Sequence, residues 1–391
     1  MGDDEPSPLG HTHGDLADPH PELGPVAPHV RTALAVLGVL VAIGCVVGLL
    51  TTWPQDPRQA PADFTVERVG ATITSLGDCE GGDEACLMAV AELEDGTEAV
   101  VQVPAADQVG TVDVGQDVVL SYNETLPAGN QYAFLEADRS TPIVALIVVF
   151  AIAVLLLSGW RGASSLFSLG LTLLLIGVYV LPALRSEASP LAVALTTAGL
   201  VMLITLYASY GVSVRSTVAL VGTLLGLTLA ACVGVVVTAV ASFTGTTDES
   251  TSFLQTVVGD VDTRGLLLAG LIIGALGVLD DVTVTQTATV WELAAADPDA
   301  TRRWVFAGAM RVGRAHVSAT VNTLVLAYVG ASLPLLVYLS SLDASWTAAI
   351  FSEAVATEVV RALAGSLGII AAVPITTALA CWAVPRPISS R

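Results

Sequence analysis

The chain has 391 residues, 53% of them hydrophobic and only 13% charged, with a mean hydropathy of +0.74. Soluble domains carry roughly 25% charged residues, so this deficit leaves long stretches without charge and points to membrane spans. The 15 cations are all arginine, which excludes a P-loop, a protein kinase and a lysine Schiff-base enzyme, and the formal charge of −21 excludes nucleic acid as a partner.

Residues 1–30 are polar, with Pro, Gly, Asp and the histidines His11, His13, His20 and His29. They show no helical period or alternation, which predicts a disordered cytoplasmic tail. A His-x-His pair without Cys or carboxylate geometry is a weak metal signal. The uncharged run Thr32 to Thr52 follows Arg31 and is long enough to cross a bilayer, so 31–52 is read as an anchor transmembrane helix. The acidic leader and the absence of an A-x-A site argue against a cleaved signal peptide.

The composition changes abruptly over 53–140, which holds 17 acids and only three arginines, Arg58, Arg68 and Arg139. Apolar residues alternate with polar ones over Thr65–Val69, Leu87–Leu93, Ala99–Val103, Val112–Val114 and Val118–Leu120, with Gly and Pro between them. This pattern predicts a small all-β domain, barrel or sandwich. Cys79 and Cys86 flank an acidic Gly-rich turn and are disulfide candidates if the domain is extracytoplasmic, whereas Cys45, Cys232 and Cys381 lie in apolar runs.

Residues 141–385 read as a seven-helix transmembrane bundle with spans at 141–158, 163–182, 190–210, 217–243, 265–293, 316–339 and 362–383, followed by a cytoplasmic tail, 386–391. With the anchor this makes about eight transmembrane helices. The mildly charged, amphipathic stretch 344–361, with Trp346, reads as an interfacial helix. With the N-terminus inside, nine arginines fall on the inner side and six on the outer, and the four arginines between 294 and 315 decide the orientation. Both termini are then cytoplasmic and 53–140 lies outside.

The most unusual feature is Gly274-Ala-Leu-Gly277-Val-Leu-Asp280-Asp281-Val-Thr283-Val-Thr285-Gln286-Thr287, where two carboxylates interrupt an apolar span. A charge at the bilayer centre costs about 3 kcal/mol or more, so such residues face a cavity or a partner. Helical spacing groups Asp280 with Thr283 and Thr287, and Asp281 with Thr285. Oxygen groups in this pattern suit a hard cation or a proton relay, and no particular metal is indicated. The competing reading puts both carboxylates near the inner end of the span; against it, Val282–Leu293 stays largely apolar and Trp291 marks an interface beyond them. Asn322 lies in a polar cluster with His316, Ser318, Thr320 and Thr323, where an amide serves as interhelical glue or lines a path. Glu358 and Arg361 are i,i+3 ion-pair candidates. Gly222-xxx-Gly226 and Gly270-xxx-Gly274 allow close helix contact. No HExxH, GxSxG or Cys–His constellation is present, so no enzyme activity, catalytic residue or cofactor is expected.

The stretch Gly274 to Val282, the run Gly313-Arg314 with Thr320-Val-Asn322-Thr323-Leu-Val-Leu-Ala327-Tyr328-Val-Gly330, the run Glu358-Val-Val-Arg361-Ala-Leu-Ala-Gly365-Ser-Leu-Gly368, and Pro374-Ile-Thr376 resemble the YibE/F-like family of bacterial multi-pass membrane proteins over roughly residues 60–385. The resemblance implies a bacterial plasma-membrane protein laid out as anchor helix, outer β domain and bundle. In related sequences the carboxylate stretch holds one Asp; here it is doubled, so Asp280 or Asp281 takes that position. The expected function is a transporter or permease for a small solute or ion, with Asp280, Asp281, Thr283, Thr287 and Asn322 along its path. The alternative is a non-transporting scaffold or sensor whose β domain binds a partner or envelope ligand. The expected partners are the lipid bilayer and a cation or small solute, and an oligomer is admitted.

Overall fold

The computed structural model describes residues 23, 25–55, 67–78, 86–104, 112–127, 129–246, 249–259, 261–341 and 345–385. The Cys79–Cys86 pairing and the tails 1–22 and 386–391 lie outside the described residues. The chain divides into two compact units, Ala60–Gly162 and a second made of Met1–Gln59 with Ala163–Arg391.

The first unit contains five antiparallel strands, β1 (Glu67–Asp78), β2 (Cys86–Leu93), β3 (Glu98–Pro104), β4 (Asp117–Tyr122) and β5 (Tyr132–Ala137), in the order β3-β2-β1-β4-β5. Strand alternation sends Ala71, Ile73, Ala89, Ala91, Val101, Val103, Val118 and Leu120 to one buried face. β1 pairs with β4 through its first half and with β2 through its second, and its register shifts between Ile73 and Ser75. Such a bulge bends a strand. The edge strands β3 and β5 approach each other, so the sheet curls into a half-barrel. The β2–β3 turn uses Gly96 at φ 80°, and the Asp95 carboxylate accepts the Thr97 N–H at 2.9 Å, which holds this carboxyl below its usual range.

The expected barrel or sandwich is thus a single curled sheet. Val112–Val114 is a correction: it forms no strand. Val112 anchors a turn in the core, and Gly115, at φ 87°, donates to the Ile73 carbonyl at 2.7 Å. β5 was not expected, since its side chains are half-buried at most. Leu120 is fully buried in this small core. Leu120→Ala is expected to cost about 2–5 kcal/mol, read as a loss of amide exchange protection across β1, β2 and β4.

α2 (Ser140–Trp160) follows β5 and is apolar around its whole circumference. The backbone leaves helical geometry at Gly159, with φ 54°, a conformation glycine adopts without penalty.

The second unit is helical. Its elements are α1 (Pro28–Thr52), α3 (Gly162–Leu184, with a π turn at Ile176–Val180), α4 (Pro190–Tyr210), α5 (Val214–Val240), α6 (Glu249–Val258), α7 (Thr263–Ala296), α8 (Arg302–Ala331), α9 (Leu333–Ser341), α10 (Trp346–Ile350) and α11 (Glu353–Ala383). Among the described residues seven helices are long and apolar enough to cross a membrane, and eight if α8 and α9 count as one broken span bent by 56°. Pro334 explains that bend, because it has no N–H to donate and its ring crowds the Gly330 carbonyl.

The packing centre is α5, α7 and α11, with α4, α8 and α1 around it. Small residues set the spacing. A Cβ on Gly226 would stand 2.8 Å from the Ala372 Cβ and 3.1 Å from the Gly368 carbonyl oxygen, so α5 and α11 cross at backbone contact.

The basic stretch 294–315 is no loop: only 297–301 lies outside helices, and Thr301 caps α8 by accepting the Trp304 N–H at 3.3 Å. The stretch 344–361 is no single interfacial helix. The five-residue α10 ends at Ile350, and 353–361 are the first turns of α11. Glu353, in that first turn, accepts the N–H groups of Thr244 and Gly245 at 2.6 and 2.8 Å, so α11 starts where it can hold the turn after α5.

Candidate functional site

The polar groups of α7 and α8 lie near the middles of the two helices. Asp280 stands 17 residues past the first residue of α7 and 16 before its last, Thr263 and Ala296, or about 25 Å from either end. His316 is halfway along α8. Helical rotation then separates the two carboxylates. Asp280 is half-buried, and its Oδ1 is buried without a hydrogen-bond partner among the described residues. Asp281 turns outward, its side chain 73% exposed, with Oδ2 3.6 Å from His316 Nε2. That distance is too long for a hydrogen bond but within ion-pair range when the imidazole is protonated.

Thr283 and Thr287 are fully buried. Thr283 Oγ1 lies 2.6 Å from Thr223 Oγ1 on α5 and donates to the Asp280 carbonyl at 3.1 Å. Thr287 Oγ1 and Thr376 Oγ1 are buried without a hydrogen-bond partner among the described residues. One turn on, Gln286 Nε2 donates to Thr377 Oγ1 at 2.7 Å and to the Ala309 carbonyl at 2.9 Å, tying α7 to α11 and α8. Unpaired buried oxygens cost about 1–3 kcal/mol each, so their gathering around the middle of α7 needs a reason beyond packing. Among the described residues no three His, Cys, Asp or Glu side chains converge as a metal site.

Asn322 does not join this cluster; it is exposed on α8. Thr223 and Thr377 go unnoticed in the sequence, because a single threonine in an apolar helix looks the same whether it bonds its own carbonyl or a neighbour, and Gln286 and Thr376, though within the quoted stretches, receive no role there. Trp291 is 3% exposed, and the Arg215 guanidinium lies 5.5 Å from its ring centroid.

The start of α1, α5 and α8 and the end of α7 and α11 share one apolar cluster, including Val30, Val218, Val290, Val305 and Ala380. Arg31, Arg215, Arg302 and Arg303 therefore gather at one pole of the helical unit. The opposite pole holds Arg264, Glu353, Glu358 and Arg361. Glu358 accepts from Arg361 Nη1 at 2.9 and 3.2 Å, so the expected i,i+3 pair forms. The Asp280–Asp281–His316 cluster lies midway between the poles.

A family model described as YibE/F-like protein matches residues 146–386, which takes in α3–α11 and most of α2 but leaves the β sheet outside. No curated protein and no solved structure matches the chain.

Proposed function

The chain belongs to the YibE/F-like family, and from that premise and the geometry of α7 we propose that it is an integral plasma-membrane permease driven by a proton or a hard cation. The observation that carries this is the half-buried Asp280, with an unpartnered buried oxygen at the midpoint of a 34-residue apolar helix, next to the outward-facing Asp281–His316 pair. A carboxylate kept there at a cost of about 3 kcal/mol supports an ion-handling role. The division of labour is then simple. Asp281 and His316 receive the ion from an accessible face, and Asp280 holds it within the bundle beside Thr283 and Thr287.

The gathering of Arg31, Arg215, Arg302 and Arg303 at one pole supports placing that pole in the cytoplasm, and with an even number of spans the β domain lies outside. The candidate disulfide Cys79–Cys86 rests on that outer placement.

The test uses the full chain in liposomes with pH- and sodium-sensitive dyes trapped inside. Under an imposed pH or sodium gradient, the native chain is expected to admit one ion faster than empty vesicles, and the Asp280→Asn/Asp281→Asn double variant is expected to match empty vesicles. Equal ion entry in both proteins rejects the reading. Ion entry absent from both, with a ligand held by the β domain, favours a sensor or scaffold.

A further inference from the structure

A cavity of about 820 Å³ opens at the pole opposite the arginine cluster, between the turn after α5, the α8–α9 bend and the first turns of α11. Among the described residues its charged lining is the Glu358–Arg361 pair, and Tyr338, Ser332, Thr251 and Thr357 add hydroxyls. The pair is held but not saturated. Both Glu358 oxygens accept from the same Arg361 nitrogen, Nη1, while Arg361 Nε is buried with no hydrogen-bond partner among the described residues. Arg361 is also held in place: its guanidinium carbon stands 6.0 Å from the Tyr328 ring centroid, and Nη2 would be 3.6 Å from a Cβ on Gly270. Tyr328 is seated in turn against α7, its hydroxyl 2.6 Å from where a Gly274 Cβ would be. Bulkier residues at 270 and 274 would push both groups out of position.

The chemistry of this lining is specific. A guanidinium with a free edge takes a carboxylate, and a carboxylate with lone pairs to spare takes an ammonium. The two charges are adjacent and cancel. A solute with a single charge would leave one of them uncompensated in a half-buried cavity, whereas a solute carrying both would match them with no net charge transferred. The volume lies within the usual range for small-molecule sites. From the cavity, Gly270, Gly274, Gly277 and Asp281 follow one another on one exposed face of α7, about 16 Å long, to the carboxylate pair.

We infer that this cavity is a binding site for a small zwitterionic solute of the α-amino-acid class, with its carboxylate on Arg361 and its ammonium on Glu358. The inference deepens the permease reading and rests on it, since it names the cargo.

The test reads binding with no gradient present, so it is separate from the ion-entry assay. The melting temperature of the full chain in detergent is followed with each common α-amino acid at millimolar concentration. It is followed also with 4-methylpentanoate and isoamylamine, the leucine analogues that keep only one of the two charges. At least one amino acid is expected to raise the melting temperature, and neither single-charge analogue is. Glu358→Gln and Arg361→Gln are each expected to weaken the apparent affinity by about tenfold or more. If those variants aggregate, Ser332→Trp, which fills the cavity and keeps both charged residues, must abolish the shift. No shift with any amino acid, an equal shift with an analogue, or a shift that survives these variants overturns the site. Ion entry without such binding overturns this inference alone, and binding without ion entry overturns the permease reading.

Discussion

Gly226→Leu is expected to unfold the helical unit, at a cost of about 3 kcal/mol or more. At Gly226 the side of α5 meets the Ala372 Cβ, the Leu279 side chain and the Gly368 carbonyl, all within 3.1 Å of where a Cβ would sit. A Cβ on Gly368 would in turn stand 2.9 Å from the Gly226 carbonyl oxygen and from the Ala230 Cβ. Backbone cannot move aside as a flexible side chain can, so the helices must separate, and α7 loses its seat because Leu279 is part of the same crossing. Between helices in lipid there is no hydrophobic driving force to hold a loosened contact, so van der Waals fit carries the association. The measurement is the melting temperature of the detergent-solubilised chain, with Gly277→Ala as control. Nothing lies within 4 Å of a Cβ at Gly277, so that substitution is expected to be neutral or to gain up to about 1 kcal/mol of helix propensity. Equal effects at both positions would mean that close approach is not what holds α5 to α11.

The same crossing shows what could be read from the chain and what could not. Gly222-xxx-Gly226 announces a close contact, yet its partner is the Gly368, Ala372 and Thr376 face of α11, about 150 residues away. α4 was predicted at its observed bounds, because Pro190 opens it and Gly211, at φ 73°, closes it. α8 was predicted to begin 14 residues late, at 316 instead of Arg302. Arg302, Arg303, Arg311 and Arg314 all sit on its exposed side, and a hydropathy window counts charge without knowing which face carries it. α11 was begun at 362 for the same reason, since Glu358 and Arg361 offset each other only once the helix exists. The carboxylates of α7 were legible, because charge in an apolar run is conspicuous. Their separation into a half-buried Asp280 and an outward Asp281 was less so, and the exposure of Asn322 was not, because α8 has no apolar stripe that tells the packed side from the open one. The Gln286–Thr377 bond joins residues 91 apart, a pairing that only the fold reveals.

The unequal settings of the two carboxylates lead to unequal effects on ion entry. Asp280→Asn preserves the shape of the side chain and removes the charge whose Oδ1 is buried without a partner in the bundle, so ion entry is expected to fall to that of empty vesicles. Asp281 is reached from outside and is supported by His316 at 3.6 Å. Asp281→Asn and His316→Gln each leave Asp280 intact and break the same pair, so each is expected to slow ion entry several-fold without abolishing it. Two residues acting as one unit have non-additive effects, so the Asp281→Asn/His316→Gln double variant is expected to be no slower than the slower single variant. Additive losses would mean that the histidine acts apart from Asp281. Full ion entry in Asp280→Asn would mean that the buried carboxyl only packs α7 against α5 and that the ion takes another route. Substituting Thr283 separates position from charge. Thr283→Val breaks the 2.6 Å hydroxyl contact with Thr223 while leaving both acids, so it is expected to lower the melting temperature by the equivalent of about 1 kcal/mol and to spare most of the ion entry.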